Sequence, residues 1–281
     1  MNYRHAFHAG NFADVIKHVV LARILGHLRD KPQPFRVIDT HAGAGRYDLA
    51  GPDANRTGEW RGGIGRLMDA SLAPAASQLL APYLDVVRQA NRGGALRFYP
   101  GSPLIALALM RAQDRLIACE LEPGAARSLA NNLRADKRAK ALAIDGFMAL
   151  NAYVPPKERR GVVLIDPPFE QQDEFAQLAK SVEDAHRKWA TGIYAAWYPR
   201  KDPQAARALA TRIRRSGIAK ILRVELDFGG DPTRLAGTGL IIVNPPWRLE
   251  QELVTLLPAL AEVLAHAERP QLRIDQLATA G

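Results

Sequence analysis

The residues Gly161-Val162-Val163-Leu164-Ile165-Asp166-Pro167-Pro168-Phe169 form an apolar run that ends in a carboxylate, two prolines and an aromatic ring. Such a run without alternation is typical of a central strand covered on both faces. Six further runs share this character, at residues 35–39, 116–120, 141–145, 192–197, 219–225 and 239–244. Because helical patterns separate most of them, the sequence predicts an α/β, Rossmann-like fold with a seven-stranded, mostly parallel sheet.

Four of the predicted strands end in an acid, namely Asp39, Glu120, Asp145 and Asp166. Ligands of open α/β sheets bind at the carboxyl ends of the strands. The sequence therefore predicts a ligand site at this edge. A carboxylate such as Glu120 can accept hydrogen bonds from both hydroxyls of a ribose, although a surface acid at a strand end is the alternative.

The loop after the first strand reads Asp39-Thr40-His41-Ala42-Gly43-Ala44-Gly45. Its glycines permit a tight turn and close approach of the backbone to a ligand. It contains neither a dinucleotide-binding GxGxxG nor a phosphate-loop lysine, and it is similar to the loop that binds S-adenosylmethionine. Asp145-Gly146 suits the adenine of that cofactor, with a simple turn as the alternative.

The Asp166-Pro167-Pro168-Phe169 tetrapeptide predicts methylation of an exocyclic amine. The lone pair of such a nitrogen is delocalised into the ring. A fixed Asp166 oxygen and the Pro167 carbonyl can accept its two protons and stabilise the positive charge that develops. The prolines restrict the backbone, and Phe169 offers a face on which a base can stack. No metal is expected, because a sulfonium is already a strong leaving group. Whether Asp166 acts as a true base stays open.

A second tetrapeptide, Asn244-Pro245-Pro246-Trp247, also follows an apolar run. It lies after the seventh predicted strand rather than the fourth, so we predict a structural role for it.

The interval between the first two predicted strands is far longer than the dozen or so residues that one crossover needs. We predict that residues 47–97 form an inserted helical subdomain, with a helix from about 77 to 89. Residues 1–46 and 98–281 then form the main domain.

The net charge of +9 and pI of about 9.9 make a polyanionic partner plausible. A candidate phosphate-binding face follows the catalytic run, with a solvated helix as the alternative for each residue: Arg187, Lys188, Arg200, Lys201, Arg207, Arg212, Arg214 and Arg215. The single cysteine, Cys119, excludes a disulfide framework and predicts a buried, inert thiol. Without a signal peptide or an apolar run that could span a bilayer, we expect a cytoplasmic protein with no membrane partner.

The N-terminal segment is dense in polar residues. A metal site of His5, His8 and His18 lacks acidic or thiol support and is disfavoured. The apolar spacing from Phe12 to Ile24 predicts a helix, with Asn11 as its cap.

Seven segments together resemble the bacterial 23S rRNA adenine-N6 methyltransferase J family. They are YRHAFHAGNFADVIKH (residues 3–18), DTHAGAGRY (39–47), RTGEW (56–60), YPGSPLIA (99–106), GVVLIDPPFE (161–170), ATGIYAAWYP (190–199) and NPPWRLE (244–250). The resemblance implies S-adenosylmethionine as cofactor and, as target, one adenine of 23S rRNA, at position 2030 of the reference numbering.

The resemblance also implies roles for individual residues. Lys17, His18 and His41 would hold the methionine end of the cofactor, with Gly43 and Ser102 in the same site. Glu120 would hold the ribose, and Asp145 and Gly146 the adenine. Asp166, with Pro167 and Phe169, would be catalytic, and Tyr3 would contact the RNA. Phe169 departs from the family, where tyrosine is common, so a phenolic hydrogen bond is lost.

Three other functions stay open at this point. A DNA adenine-N6 methyltransferase would use the same tetrapeptide, although we see no target-recognition domain. A protein-glutamine methyltransferase would favour Asn over Asp166, and a noncatalytic RNA-binding protein would need no tetrapeptide. We expect a monomer that acts on protein-free or early-assembly 23S rRNA.

Overall fold

The computed structural model describes residues 5–171, 173–229, 235–265 and 270–278. Its main sheet has eight strands in the order β10-β8-β9-β7-β6-β1-β4-β5. The strands are β1 (Arg36–Asp39), β4 (Arg115–Cys119), β5 (Ala139–Leu142), β6 (Gly161–Ile165), β7 (Ile193–Pro199), β8 (Ile221–Asp227), β9 (Gly237–Val243) and β10 (Gln271–Ala278). The five strands from β7 to β5 pair in parallel, whereas β9 runs antiparallel to both β7 and β8.

All seven predicted strands are present, but the predicted number was wrong because β10 adds an eighth. This strand pairs antiparallel with β8 at the edge of the sheet. Its sequence alternates apolar Leu272 and Ile274 with charged Arg273 and Asp275. Such alternation marks a strand with one solvated face, whereas the prediction relied on continuous apolar runs.

Helices cover both faces of the sheet. They are α1 (Phe12–Arg29), α2 (Pro52–Thr57), α3 (Ile64–Asp69), α4 (Pro74–Ala90), α5 (Ser102–Leu109), α6 (Pro123–Leu133), α7 (Gly146–Tyr153), α8 (Glu174–Lys188), α9 (Pro203–Arg214) and α10 (Leu249–Leu264). Successive strand residues point to opposite faces. Val162 and Leu164 join the core formed with α1, α4, α5 and α10, whereas Val163 and Ile165 join the core formed with α8 and α9.

Helix α1 begins where the sequence predicted. Asn11 has extended backbone angles, and its side-chain oxygen accepts a hydrogen bond from the Asp14 amide, as an N-cap residue should. The helix lies across the sheet with most of its residues buried. No helix in the described part of the chain has the length and apolar character needed to cross a membrane.

The segment 47–97 contains α2, α3, α4 and a 3-10 helix (Glu59–Arg61), so the predicted helical content is confirmed. Two short strands bracket the segment, since β2 (Arg46–Asp48) pairs antiparallel with β3 (Phe98–Pro100). This pairing brings the two ends of the segment together. Because α4 also packs against α1 and α10 of the main body, the division into two domains stays a prediction.

The two tetrapeptides lie at opposite edges of the sheet. Because β9 is antiparallel to β7, its carboxyl end lies beside the start of β7 rather than beside Asp166. There the Asn244 amide donates to the carbonyls of Ala190 and Gly192 at 2.8 and 2.7 Å. This amide therefore fixes a loop, as expected of a structural motif.

Candidate functional site

A cavity of about 610 Å³ opens at the carboxyl ends of β1, β4, β5 and β6. This volume is within the range of small-molecule sites. Six predicted residues line it, namely His41, Gly43, Glu120, Asp145, Gly146 and Asp166. The parallel strands thus bring together residues that lie more than a hundred positions apart in the chain.

The glycine loop and Glu120 fix each other. Gly43 adopts a φ of +59°, a conformation that glycine tolerates best. Its amide donates to one Glu120 oxygen at 2.8 Å, and the Glu122 amide donates to the other at 2.8 Å. Each carboxylate oxygen retains a second lone pair. Glu120 is therefore held in one orientation and can still accept hydrogen bonds from a ligand.

Asp145 and Gly146 form the start of α7. The Asp145 carboxylate caps the helix by accepting from the Met148 amide at 2.8 Å. A Cβ on Gly146 would lie 2.6 Å from Cε1 of His41 and closer still to the Thr40 carbonyl. Only glycine therefore allows α7 to begin this close to the first loop.

The hydrogen bonds of His41 select one tautomer. The Thr40 hydroxyl donates its only proton to the Leu164 carbonyl at 3.0 Å. The His41 Nδ1 atom lies 2.7 Å from the same hydroxyl oxygen, and both contacts are hydrogen bonds when Nδ1–H is the donor. Burial lowers the pKa of His41 to about 4, so the ring is neutral near pH 7. Its Nε2 atom is then a hydrogen-bond acceptor.

Asp166 belongs to a buried network of charges. Lys17 donates to the Asp166 Oδ2 atom and to the Asp14 Oδ1 atom, the latter at 2.7 Å. His5 Nε2 lies 3.1 Å from the other Asp14 oxygen. Although burial alone lowers the pKa of Lys17, the charges of Asp14 and Asp166 raise it above its ordinary value. Lys17 is therefore a permanent cation, and it contacts only one oxygen of Asp166.

Two buried tyrosines, Tyr99 and Tyr83, form a row of hydrogen bonds that ends at His18. The Tyr99 hydroxyl lies 2.7 Å from His18 Nδ1 and 3.0 Å from the Tyr83 hydroxyl. If Tyr83 donates to Tyr99 and Tyr99 donates to His18, every hydroxyl proton has an acceptor. The reverse order leaves the Tyr83 proton without an acceptor in the described part of the chain. Burial lowers the pKa of His18 to about 3, so the ring is neutral and carries its proton on Nε2.

Asp39 is a buried acid whose carboxyl oxygens have no hydrogen-bond partner among the described residues. Its side chain is about 1% exposed, and neither carboxyl oxygen has a hydrogen bond of ordinary geometry to a described residue. Burial raises the pKa of Asp39 to about 7, an effect that the nearby Ser102 hydroxyl and Lys17 charge partly offset. A buried carboxyl without a partner is costly. Asp39 itself does not line the cavity, although its sequence neighbour His41 does.

Comparisons with known proteins agree with this geometry. Residues 32–275 match the family model described as "Ribosomal RNA large subunit methyltransferase D, RlmJ". The chain is 44% identical to the ribosomal RNA large subunit methyltransferase J of Escherichia coli over 95% of both chains. It is 42% identical to the protein of the same name from Haemophilus influenzae over 94% of both. The chain belongs to the RlmJ family.

A solved structure extends this relation to the fold. The crystal structure of a Legionella pneumophila protein superposes with a TM-score of 0.88 at 33% identity and covers 96% of this chain and 98% of that one. The RlmJ family consists of S-adenosylmethionine-dependent methyltransferases, so this chain is an enzyme of that class.

Five of the predicted site residues, including the buried Pro167, do not line the cavity. Lys17, His18 and Ser102 are buried next to it, where they contact Asp166, Tyr99 and Asp39 as described above. Phe169 has a φ of +54° and packs its ring against Phe175 and Trp197, with centroids 4.7 and 5.7 Å away. Tyr3 lies outside the described residues.

Three residues that support the site were not predicted. Asp14, Tyr83 and Tyr99 each hold a predicted residue in place. Asp14 and Lys17 are three positions apart on one helix, a spacing that brings side chains together and could have suggested the pair. The tyrosine chain had no such signal, because Tyr83 reaches His18 only through the packing of α4 on α1.

Proposed function

We propose that this protein transfers a methyl group from S-adenosylmethionine to N6 of one adenine in 23S rRNA. The observation that supports this most is the position of Asp166 and Pro168 at the cavity that Glu120 and Asp145 also line. Both relatives named above act on large-subunit ribosomal RNA by name. The adenine is the one implied by the resemblance of the seven sequence segments.

The chain's own residues fit the two charged groups of the methionine end. A neutral His18 with Nε2–H suits a carboxylate, whereas a neutral His41 with an Nε2 lone pair suits an ammonium group. Asp39, with two unsatisfied oxygens beside Ser102, also suits an ammonium group or another donor. We therefore propose that these residues bind the zwitterion, that Glu120 binds the ribose, and that Asp145 and Gly146 flank the adenine.

We propose that Oδ1 of Asp166 accepts a hydrogen bond from an N–H of the target amine. Lys17 occupies Oδ2, and Oδ1 has no hydrogen-bond partner among the described residues. The side chain is only 10% exposed, so this hydrogen bond forms where water does not compete strongly. When bound, the cofactor supplies an activated methyl group on a sulfonium. The Lys17 ammonium holds the Asp166 carboxylate in place while the amine gains positive charge.

The proposed reaction uses no metal ion. His5, Asp14 and Asp166 each offer a ligand atom within 4.8 Å of the others. The Lys17 ammonium already bonds to both acids of this group, so their negative charge is balanced by the protein itself. Transfer from a sulfonium also needs no Lewis acid to activate the leaving group.

The proposed substrate is protein-free or early-assembly 23S rRNA, and the proposed active form is a monomer. A DNA adenine methyltransferase is the second candidate, because the tetrapeptide chemistry is the same on either polymer.

The test is transfer of labelled methyl to purified 23S rRNA and to DNA of matched length, followed by mapping of the modified base. We expect label at one adenine N6 of the RNA and none on DNA. Asp166→Ala should abolish transfer while S-adenosylhomocysteine still binds. Label on DNA alone, or no adenine product despite intact cofactor binding, would contradict the proposal. Because Asp166 is part of a buried ion network, Asp166→Asn is a second variant that preserves the shape.

A further inference from the structure

Three cavities adjoin on the face of the molecule formed by α8, α9 and β10. Their volumes are about 730, 220 and 420 Å³. Arg207 lines all three, so the cavities adjoin around α9, and together they are called the groove. This groove is separate from the cavity that contains Asp166, since the two share no lining residue.

The groove is strongly cationic. Eight arginines and four carboxylates line it, and none of its described lining residues is a lysine. The carboxylates already form ion pairs with arginines. Glu183 pairs with Arg212 at 2.9 Å, and Asp275 pairs with Arg223 at 2.7 Å. Exposed Arg207, Arg214 and Arg215 have no carboxylate partner among the described residues. Their charges are therefore available to an external anion.

The free arginines form a stripe along one helix. Arg207, Thr211 and Arg214 are spaced i, i+4 and i+7, which places them on one face of α9, and Arg215 follows at i+8. From Arg207 to Arg214 the axial rise is roughly 10 Å. A row of guanidinium groups of this length matches an extended polyanion better than a single small anion.

The groove runs away from the proposed active site. Arg200, at the end of β7, lines its upper part, and β7 pairs in parallel with the strand that ends at Asp166. Arg215 lies just past the end of α9, toward the opposite edge of the sheet. A chain that leaves the active-site edge beside Arg200 could follow the groove over the full length of α9.

We propose that this groove binds the sugar-phosphate backbone of the substrate RNA at a distance from the target adenine. Arginine forks bind phosphate oxygens in pairs, which lysine cannot do. A protein partner would need buried apolar anchors. Of the large hydrophobic side chains that are exposed in the described residues, only Leu272 lines the groove. The groove thus has the charge of an RNA-binding surface and lacks the apolar centre of a protein interface.

The proposal rests on the proposed RNA substrate, and the test separates the two. Methylation is measured on a long 23S rRNA fragment and on a short oligonucleotide with the same target adenine. The variant is Arg207→Ala/Arg214→Ala/Arg215→Ala. A control, Arg29→Ala/Arg88→Ala/Arg92→Ala, removes the same charge in or beside α1 and α4, and a third variant changes the groove arginines to lysine.

We expect the groove variant to raise KM for the long fragment by about tenfold with kcat unchanged, and to reduce the salt dependence of RNA binding by about three counterions. The short oligonucleotide and the charge-matched control should behave as wild type, and the lysine variant should recover part of the affinity. Unchanged KM for the long fragment would overturn the proposal. An acidic protein would then be the better candidate ligand for the groove. An equal loss on both substrates would also overturn it. If wild type methylates neither RNA, the proposed function itself fails.

Discussion

Tyr99→Phe tests whether the Tyr99 hydroxyl fixes the tautomer of His18. Tyr99 is fully buried, and its hydroxyl bridges His18 Nδ1 and the Tyr83 hydroxyl at 2.7 and 3.0 Å. Removing this oxygen leaves two buried polar groups unsatisfied, each at a cost of roughly 1–3 kcal/mol. We expect Tyr99→Phe to lower the free energy of unfolding by about 2–6 kcal/mol.

The same change should weaken cofactor binding. Without a donor at Nδ1, the neutral His18 ring can move its proton from Nε2 to Nδ1, and Nε2 then repels a carboxylate. The loss of affinity is bounded by the energy of the lost hydrogen bond, about 1 kcal/mol, because the ring can still recover the binding tautomer. We therefore expect the Kd for S-adenosylhomocysteine to rise by up to about fivefold.

Tyr83→Phe is the matched control. It removes the same atom from another buried tyrosine, but Tyr99 can still donate to His18. We expect a loss of stability of about 1 kcal/mol and a Kd within twofold of wild type. Calorimetry gives the two Kd values, and nitrogen-15 spectra of labelled histidine report the tautomer directly. Equal Kd values for Tyr99→Phe and Tyr83→Phe, or a wild-type His18 that carries its proton on Nδ1, would refute the reasoning.

Three further predictions concern His18, Gly146 and Asn244. His18 has a pKa of about 3 when folded and an ordinary value of 6.5, so only the unfolded chain gains this proton as the pH falls below 6.5. The free energy of unfolding at pH 5 should therefore be about 2 kcal/mol lower than at neutral pH. His18→Gln should reduce this pH dependence, as measured by denaturant titrations. Gly146→Ala should weaken cofactor binding and lower Tm, because its Cβ meets His41, whereas Gly26→Ala in α1, with nothing within 4 Å, should stabilise by up to about 1 kcal/mol. Asn244→Asp should lower Tm, because it aims a carboxylate at two carbonyls, and should leave kcat unchanged in the methyl-transfer assay.

The part of the fold that sequence predicted is the part with a simple hydrophobic pattern. Buried parallel strands are continuous apolar runs, and all seven were found within a few residues. β10 was missed because one of its faces is solvated. The antiparallel pair of β2 and β3 was missed because strands of three residues carry too little pattern to detect. The ends of the strands were predictable, and with them the positions of Glu120 and Asp166.

The contacts that give those residues their properties were not predictable in the same way. Lys17 and Asp166 are 149 positions apart, and only the docking of α1 on β6 brings them together. The resemblance pointed to Lys17 as a cofactor residue, and that role stays a prediction. In the structure its ammonium binds two carboxylates. Lys17 can therefore affect the cofactor either indirectly, by holding Asp166 in place, or through its one remaining N–H.

Strand direction decides between the two tetrapeptides. Asp166-Pro167-Pro168-Phe169 and Asn244-Pro245-Pro246-Trp247 both follow buried strands and have similar hydrogen-bonding groups. β6 ends at the cavity, whereas β9 is antiparallel to β7 and ends at the far edge, where Trp247 is 81% exposed. Asn244 has already used its amide on two carbonyls, while Asp166 keeps one oxygen for a ligand. The same local sequence pattern therefore lies at the cavity at one edge of the sheet and fixes a loop at the other, and only the topology distinguishes them.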